Sequence, residues 1–170
     1  MQRRTITIVW LGCIIGLICS GCSREDDAQQ IRALIATGVG LAEEHDVSGL
    51  LALATEDVQA APMDLDRRGI RGVLWRTFKA YGSIRILYPY PAIELDGTLK
   101  EASAQFPFLI VKKDRRLPDL ERLQDDPAAW LEAVGSQADL YRLRLQLIQQ
   151  GGAWLVERAM LERFSVLGFE

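Results

Sequence analysis

The 170-residue chain is short of the residues that metal and nucleophile chemistry need. It has one histidine, His45, and three cysteines, Cys13, Cys19 and Cys22, all at its start. Beyond Cys22 no thiol remains, which excludes an internal disulfide and any cysteine-based metal or redox site in the rest of the chain. No His-Glu-x-x-His spacing, no Gly-x-Ser-x-Gly elbow and no glycine-rich phosphate loop occurs, and Ser48 and Ser136 stand in no nucleophile setting. No metal site and no cofactor is therefore expected. No apolar run reaches the roughly 20 residues that span a bilayer comfortably. Basic charge is also in deficit: 20 Lys and Arg face 23 Asp and Glu, for a net charge of -3. Nucleic-acid binding needs a basic face, so a nucleic acid is not an expected partner.

What is present is a globular composition, 49% hydrophobic and 25% charged, behind a distinct leader. Arg3 and Arg4 precede a mostly apolar run from Ile6 to Cys19. That order of basic, apolar and small residues is the pattern of an export signal. The end of the run, Ile18-Cys19-Ser20-Gly21-Cys22, resembles a bacterial lipobox, with Cys19 standing where leucine is usual. The resemblance implies cleavage after residue 21, lipid on Cys22 and attachment to a membrane of the bacterial envelope. Ser23, not aspartate, follows Cys22, which by the same resemblance points to the outer membrane facing the periplasm. Residues 22–27 read as a short tether, and Asp26 or Asp27 as a solvent-facing cap on the first helix.

Residues 28–170 read as one α+β domain of a size that supports its own core. Ile31, Leu34, Ile35, Gly38, Leu41 and Ala42 predict a helix from Ala28 to Glu44. Asp46 caps a short second helix, and Val58 to Ala61 form a brief strand stopped by Pro62. Ile70, Leu74, Phe78 and Tyr81 predict a third helix from Leu65 to Tyr81, closed by Gly82. From Ser83 the period becomes two. Ile84, Ile86, Tyr88 and Tyr90 alternate along one strand, interrupted by Pro89 and Pro91. Ala102, Ala104, Phe106, Phe108 and Ile110 alternate along the next. Tyr141 to Leu147 and Ala153 onward form a hairpin about Gly151-Gly152, expected to pair Leu147 with Val156, Leu145 with Arg158 and Leu143 with Met160. Between the hairpins, residues 114–135 are an insertion. It follows the basic Lys112–Arg116 cluster and holds an Asp126-capped helix with Trp130.

Helices followed by a curved antiparallel sheet, aromatic packing at Trp75, Phe78 and Tyr81, and the closing Gly152-Ala153-Trp154-Leu155-Val156 strand resemble the nuclear transport factor 2-like, or cystatin-like α+β, superfamily. The resemblance covers about Ala28 to Phe164. It implies a cone whose sheet and helices enclose a pocket, serving isomerases, dehydratases and non-catalytic binding modules alike. Trp75, Tyr88, Tyr90, Phe106 and Phe108 are the candidate pocket lining, with core packing as the plainer role. His45 reads as a solvated helix end, and Asp64 and Asp66 as acids at a helix start. Arg142 and Arg144 read as the outward face of a strand. Lys112–Arg116 could meet anionic headgroups or be a solvated strand end. The expected function is a lipid-anchored, non-catalytic domain that binds a small ligand or a protein partner. A pocket isomerase or dehydratase is the alternative, and self-association through the open sheet face is a further expectation.

Overall fold

In a computed structural model, residues 22–97, 100–112, 125–126, 129 and 139–163 are described. Among the described residues three helices and six strands are named, in the order α1 (Cys22–Glu43), α2 (Val47–Ala52), β1 (Ala54–Ala61), α3 (Arg67–Tyr81), β2 (Ile84–Leu87), β3 (Ala92–Leu95), β4 (Glu101–Lys112), β5 (Asp139–Gln150) and β6 (Ala153–Arg163). The sheet order is β1-β6-β5-β4-β2, with β3 also paired to β4. The sheet is curved but mixed, because β1 joins β6 in parallel while the remaining pairs are antiparallel. Among the described residues no helix is long and apolar enough to cross a membrane.

α1 begins at Cys22, so the residues expected to form a tether are helical instead. The reason lies in Asp27. It stands four residues before Ile31 and eight before Ile35, on the face that carries the buried stripe. Ile31 and Ile35 are 0% and 4% exposed, and Asp27 is 7% exposed. Its Oδ1 accepts from the Trp154 indole N–H at 3.0 Å and from Gln149 Nε2 at 3.4 Å. The expected solvent-facing cap is thus a buried staple between α1 and the β5–β6 hairpin. At the other end of α1, Glu43 Oε1 accepts from the Ile86 N–H at 2.7 Å and ties the helix to β2.

The short helices follow local chemistry. Asp46 accepts from the Gly49 N–H at 2.9 Å and starts α2. Asp66 does the same for Gly69 at 2.7 Å and starts α3 two residues later than the apolar spacing suggests. Gly82 ends α3 at φ 67°, ψ -149°, a conformation that side chains with a Cβ disfavour. In the insertion, the Asp126 side chain accepts from the Ala129 N–H at 3.1 Å, as a cap does. Trp130 and Lys113 to Arg116 lie outside the described residues.

Two expectations about strands need correction. The strand read from Ile84 to Tyr90 ends at Leu87, and the chain re-pairs with β4 only at Ala92. Pro89 and Pro91 lack the ladder donor, and between them the alternation is lost. In the final hairpin Leu147 does face Val156, but Gln146 faces Arg158 and Leu145 faces Ala159. Glu157 is the extra residue of a bulge, so Glu157 and Arg158 are both exposed and every later pair moves by one. Leu143 consequently meets Leu161, not Met160.

The core lies between α1 and one face of β4, β5 and β6. Ile31, Ile35, Ala104, Phe106, Leu147 and Val156 belong to it. Burying an isoleucine such as Ile31 fully is worth about 1.5–3 kcal/mol. The molecule has two poles. At one, the Gly151-Gly152 turn, Lys100 and the first turns of α1 gather, with the Gln149 N–H donating to the Lys100 carbonyl at 2.8 Å. At the other, the end of α3, Ile84, Lys112 and Asp139 meet. The twelve residues of β4 separate the two poles by about 37 Å.

Candidate ligand-binding site

The helix-covered face of the sheet carries a line of aromatic rings. Ring centroids are 5.5 Å apart for Tyr88 and Phe106, 6.4 Å for Phe106 and Phe108, and 5.5 Å for Phe108 and Tyr141. Strand geometry produces the line. Phe106 and Phe108 are two apart on β4, and Tyr141 is directly opposite Phe108 on β5. Phe108 and Tyr141 lie 24° from parallel, as a stacked pair. Phe106 is buried, whereas Tyr88, Phe108 and Tyr141 keep part of their surface open.

At the distal pole the line ends in polar groups. The Tyr81 hydroxyl, from the last turn of α3, donates to Asp139 Oδ2 at 2.6 Å and lies 3.1 Å from the Tyr141 hydroxyl. Asp139 is two residues before Tyr141, so both project to the same side of β5. Its other oxygen, Oδ1, accepts from Arg163 Nη2, and Arg163 is the β6 residue opposite Tyr141. A tyrosine has one proton to give. Tyr81 gives it to Asp139, so Tyr141 donates to the Tyr81 oxygen and keeps an acceptor position. Burial, then the bond to Asp139 and the neighbouring Tyr141, push the Tyr81 phenol above its ordinary 10.0, so it remains a donor. Burial and the charge of Glu43 push Tyr88 up as well.

The arrangement suits orientation of a ligand. A flat apolar wall meets a polar end where Tyr141 can accept and Arg163, its side chain 71% exposed, can donate. Both Asp139 oxygens are engaged. To abstract a proton from a substrate, Asp139 would first have to release Tyr81 or Arg163.

Of the five candidate lining residues, Tyr88, Phe106 and Phe108 come together. Trp75 and Tyr90 do not join them. Trp75 is 59% exposed on α3, with Lys79 Nζ 5.0 Å from its ring centre, and Tyr90 is 78% exposed between its two prolines. Asp139, Tyr141 and Arg163 are the polar partners that sequence reasoning did not select. Asp139 had a signal, since it continues the alternation of Tyr141, Leu143, Leu145 and Leu147 as an acid on an apolar face. Arg163 reaches the site only because the Glu157 bulge shifts the register.

The other candidates lie elsewhere. His45 stands at φ 62° after α1, its ring stacked on Phe78 at 4.9 Å and its Nε2 buried without a partner among the described residues. It is therefore a packed helix end, not the solvated one expected. Asp66 is the cap of α3, and Asp64 sits in the preceding turn at φ 46°. Arg142 and Arg144 occupy the opposite sheet face, 4.0 Å and 3.9 Å from Glu162. An open groove of about 520 Å³ runs between β1 and the start of α3, lined by Glu56, Asp57, Asp66, Arg68 and Arg71 among others. None of the candidate aromatics lines it. Among the described residues no group of three or more His, Cys, Asp or Glu could hold a metal ion.

No protein-family model matches the chain, and no curated protein sequence matches it. Solved structures do. A nuclear transport factor 2-like protein with a cystatin-like fold from Novosphingobium aromaticivorans matches with a TM-score of 0.59 at 17% identity, over 82% of this chain and 83% of that one. A protein from the same organism, provisionally named scytalone dehydratase, matches with a TM-score of 0.62 at 13% identity, over 84% and 87%. A nuclear transport factor 2-like protein of unknown function from Pseudomonas putida matches with a TM-score of 0.58 at 16% identity, over 81% and 87%. At these identities the likeness establishes the fold, which is that of the nuclear transport factor 2-like, cystatin-like proteins, and not an activity.

Proposed function

We propose that this chain uses its cystatin-like fold as a non-catalytic binding domain, held to the bacterial envelope by lipid on Cys22. The observation that carries the binding reading is the polar end of the aromatic wall. Asp139 is already hydrogen-bonded by Tyr81 and paired with Arg163, so the site offers orientation rather than a free base. The ligand that fits is a small, flat, largely apolar molecule with one polar group for Tyr141 and Arg163. The anchoring reading rests on the basic, apolar and small-residue order of residues 1–22. By it, the protein is attached to the outer membrane and faces the periplasm. Cys22→Ser should abolish lipid labelling and membrane retention; a chain that stays membrane-bound without label contradicts the anchor.

The second reading is a pocket enzyme of the isomerase or dehydratase kind. Its support is the Tyr81–Asp139 pair, a phenol donor beside a carboxylate, together with a structural neighbour provisionally named as a dehydratase. Turnover of a bound ligand that Asp139→Asn abolishes while binding persists would favour this reading. Recovery of the ligand unchanged favours binding alone.

Self-association through the open sheet face is the remaining part of the proposal. Toward the Gly151-Gly152 pole that face presents Gln105, Arg144, Gln146 and Arg158, all exposed, whereas Leu109 and Leu140 on the same face are buried, so an interface at that pole would be polar. A size that stays monomeric over a wide concentration range contradicts it.

A further inference from the structure

Among the described elements α3 is the most basic, in a chain that is acidic overall. Its fifteen residues contain Arg67, Arg68, Arg71, Arg76 and Lys79 and no Asp or Glu, while the chain as a whole carries -3. Four of these cations share one side. Arg68, Arg71, Gly72, Trp75, Arg76 and Lys79 recur at intervals of three and four, and all are exposed. The opposite side carries Ile70, Leu74 and Phe78, which face the interior. Trp75 lies in the middle of the cationic side, 59% exposed, with Lys79 over its ring. A Cβ added at Gly72 would meet nothing within 4 Å, so the face is open there. Arg68, Arg71 and Arg76 have no ion-pair or hydrogen-bond partner among the described residues. Arg67 is the exception, spent on the carbonyls of Thr55 at 2.7 Å and Ala54 at 3.3 Å.

We infer that the outward face of α3 is a docking surface for an anionic phospholipid membrane. Charge complementarity favours a negative partner, because the outward side of α3 holds four cations and no acid, with Glu56, Asp57 and Asp66 bordering only its first turns beside Arg68 and Arg71. The central tryptophan selects a membrane over an acidic protein. An indole among cations sits at headgroup depth, its ring in the acyl boundary and its neighbours on the phosphates. Arg67 binds Ala54 and Thr55, Ala54 pairs with Val156, and Trp154 two residues earlier donates to Asp27. The Arg67 side chain thus reaches toward the pole where α1 begins, while the helix itself starts near mid-sheet, since Leu65 pairs with Ala60 and Ala60 with Ala159. Lys112 lies at the far pole, where α3 ends, because Ile84 follows Tyr81 by three residues and pairs with Lys112. Contact along α3 would lay the domain on its helical side and leave the outward sheet face to the solvent.

This goes beyond the anchored-binding reading and does not depend on lipid at Cys22. It is tested with the full chain mixed with vesicles of brominated phosphatidylcholine, with and without phosphatidylglycerol, by tryptophan fluorescence. Subtracting the signal of Trp75→Phe isolates Trp75. The expected result is quenching of Trp75 in the anionic vesicles only, lost in Arg71→Gln/Arg76→Gln and at high salt. Each cation near an anionic surface is worth about fivefold in partition, so the double variant should lose roughly 25-fold. These side chains are exposed and unpartnered, and unchanged circular dichroism confirms the fold. Equal quenching in neutral vesicles, or none in anionic ones, overturns the inference and leaves an acidic protein as the occupant. The anchor is read separately. Arg71→Gln/Arg76→Gln still fractionates with cell membranes if Cys22 is lipidated, and Cys22→Ser does not.

Discussion

Asp27 and Asp139 are two carboxylates held by aromatic donors at opposite poles of one sheet, and their surroundings give them different work. Asp27 accepts from an indole that is itself 4% exposed, and Asp27 is 7% exposed. No ligand can reach that pair. Asp139 accepts from a phenol, but its second partner, Arg163, is mostly in solvent, and the half-open rings of Phe108 and Tyr141 lie beside it. A buried charge with fixed partners is costly to disturb, whereas a half-exposed one is cheap to rearrange. The same motif therefore serves as a staple at one pole and, in the proposed function, as a binding group at the other.

The contrast can be broken most directly at the staple. Trp154→Phe leaves the Asp27 carboxylate buried without its main donor and should cost about 2–4 kcal/mol of stability, read as a lower urea midpoint. Asp139→Asn should cost about 1 kcal/mol or less, because solvent replaces what is lost. If the two variants are equally damaging, the distinction between the poles is wrong. Next in size is Gly82→Ala. Gly82 at φ 67° turns the chain directly after Tyr81, and a Cβ there should cost about 1–3 kcal/mol, measured by thermal unfolding.

Alkaline pH sharpens the comparison. The Tyr81 phenol is raised above its ordinary 10.0 in the folded protein. Between that value and its folded one, the unfolded chain has released the proton and the folded chain has not. Folding stability should therefore be intact below pH 10.0 and fall as pH rises beyond it. Tyr81→Phe should flatten that fall in urea titrations at successive pH values. A slope identical to the parent's would remove Tyr81 from the account. The smallest effect is expected for Arg163→Gln, within about 0.5 kcal/mol of the parent in stability, yet with weaker ligand binding.

The difference between the poles also explains what could be read from residues alone. Period-two alternation placed Phe106, Phe108, Leu143 and Leu147 on one face, and Asp46 announced its helix through capping chemistry. In sequence Asp27 reads as a cap because the acids Glu25, Asp26 and Asp27 look like a helix start. Its membership of the Ile31–Ile35 stripe counts only once the helix is extended back to Cys22. Tyr90 leaves the aromatic line because Pro89 and Pro91 on either side of it break the strand. Arg163 was invisible because a single bulged residue, Glu157, decides which side of β6 it occupies. Local rules name the elements; burial and register, which depend on distant strands, choose the site.

The central claim is that the aromatic wall ending at Tyr81, Asp139 and Arg163 is where a ligand sits. It is tested most directly by nuclear magnetic resonance of the aromatic side chains during titration with 2-naphthol, a flat apolar probe with one hydroxyl. The account predicts saturable shifts concentrated in Tyr81, Tyr88, Phe108 and Tyr141, weakened by Arg163→Gln and absent from Tyr90. Shifts that fail to saturate, or that gather instead along the groove between β1 and α3, would contradict it.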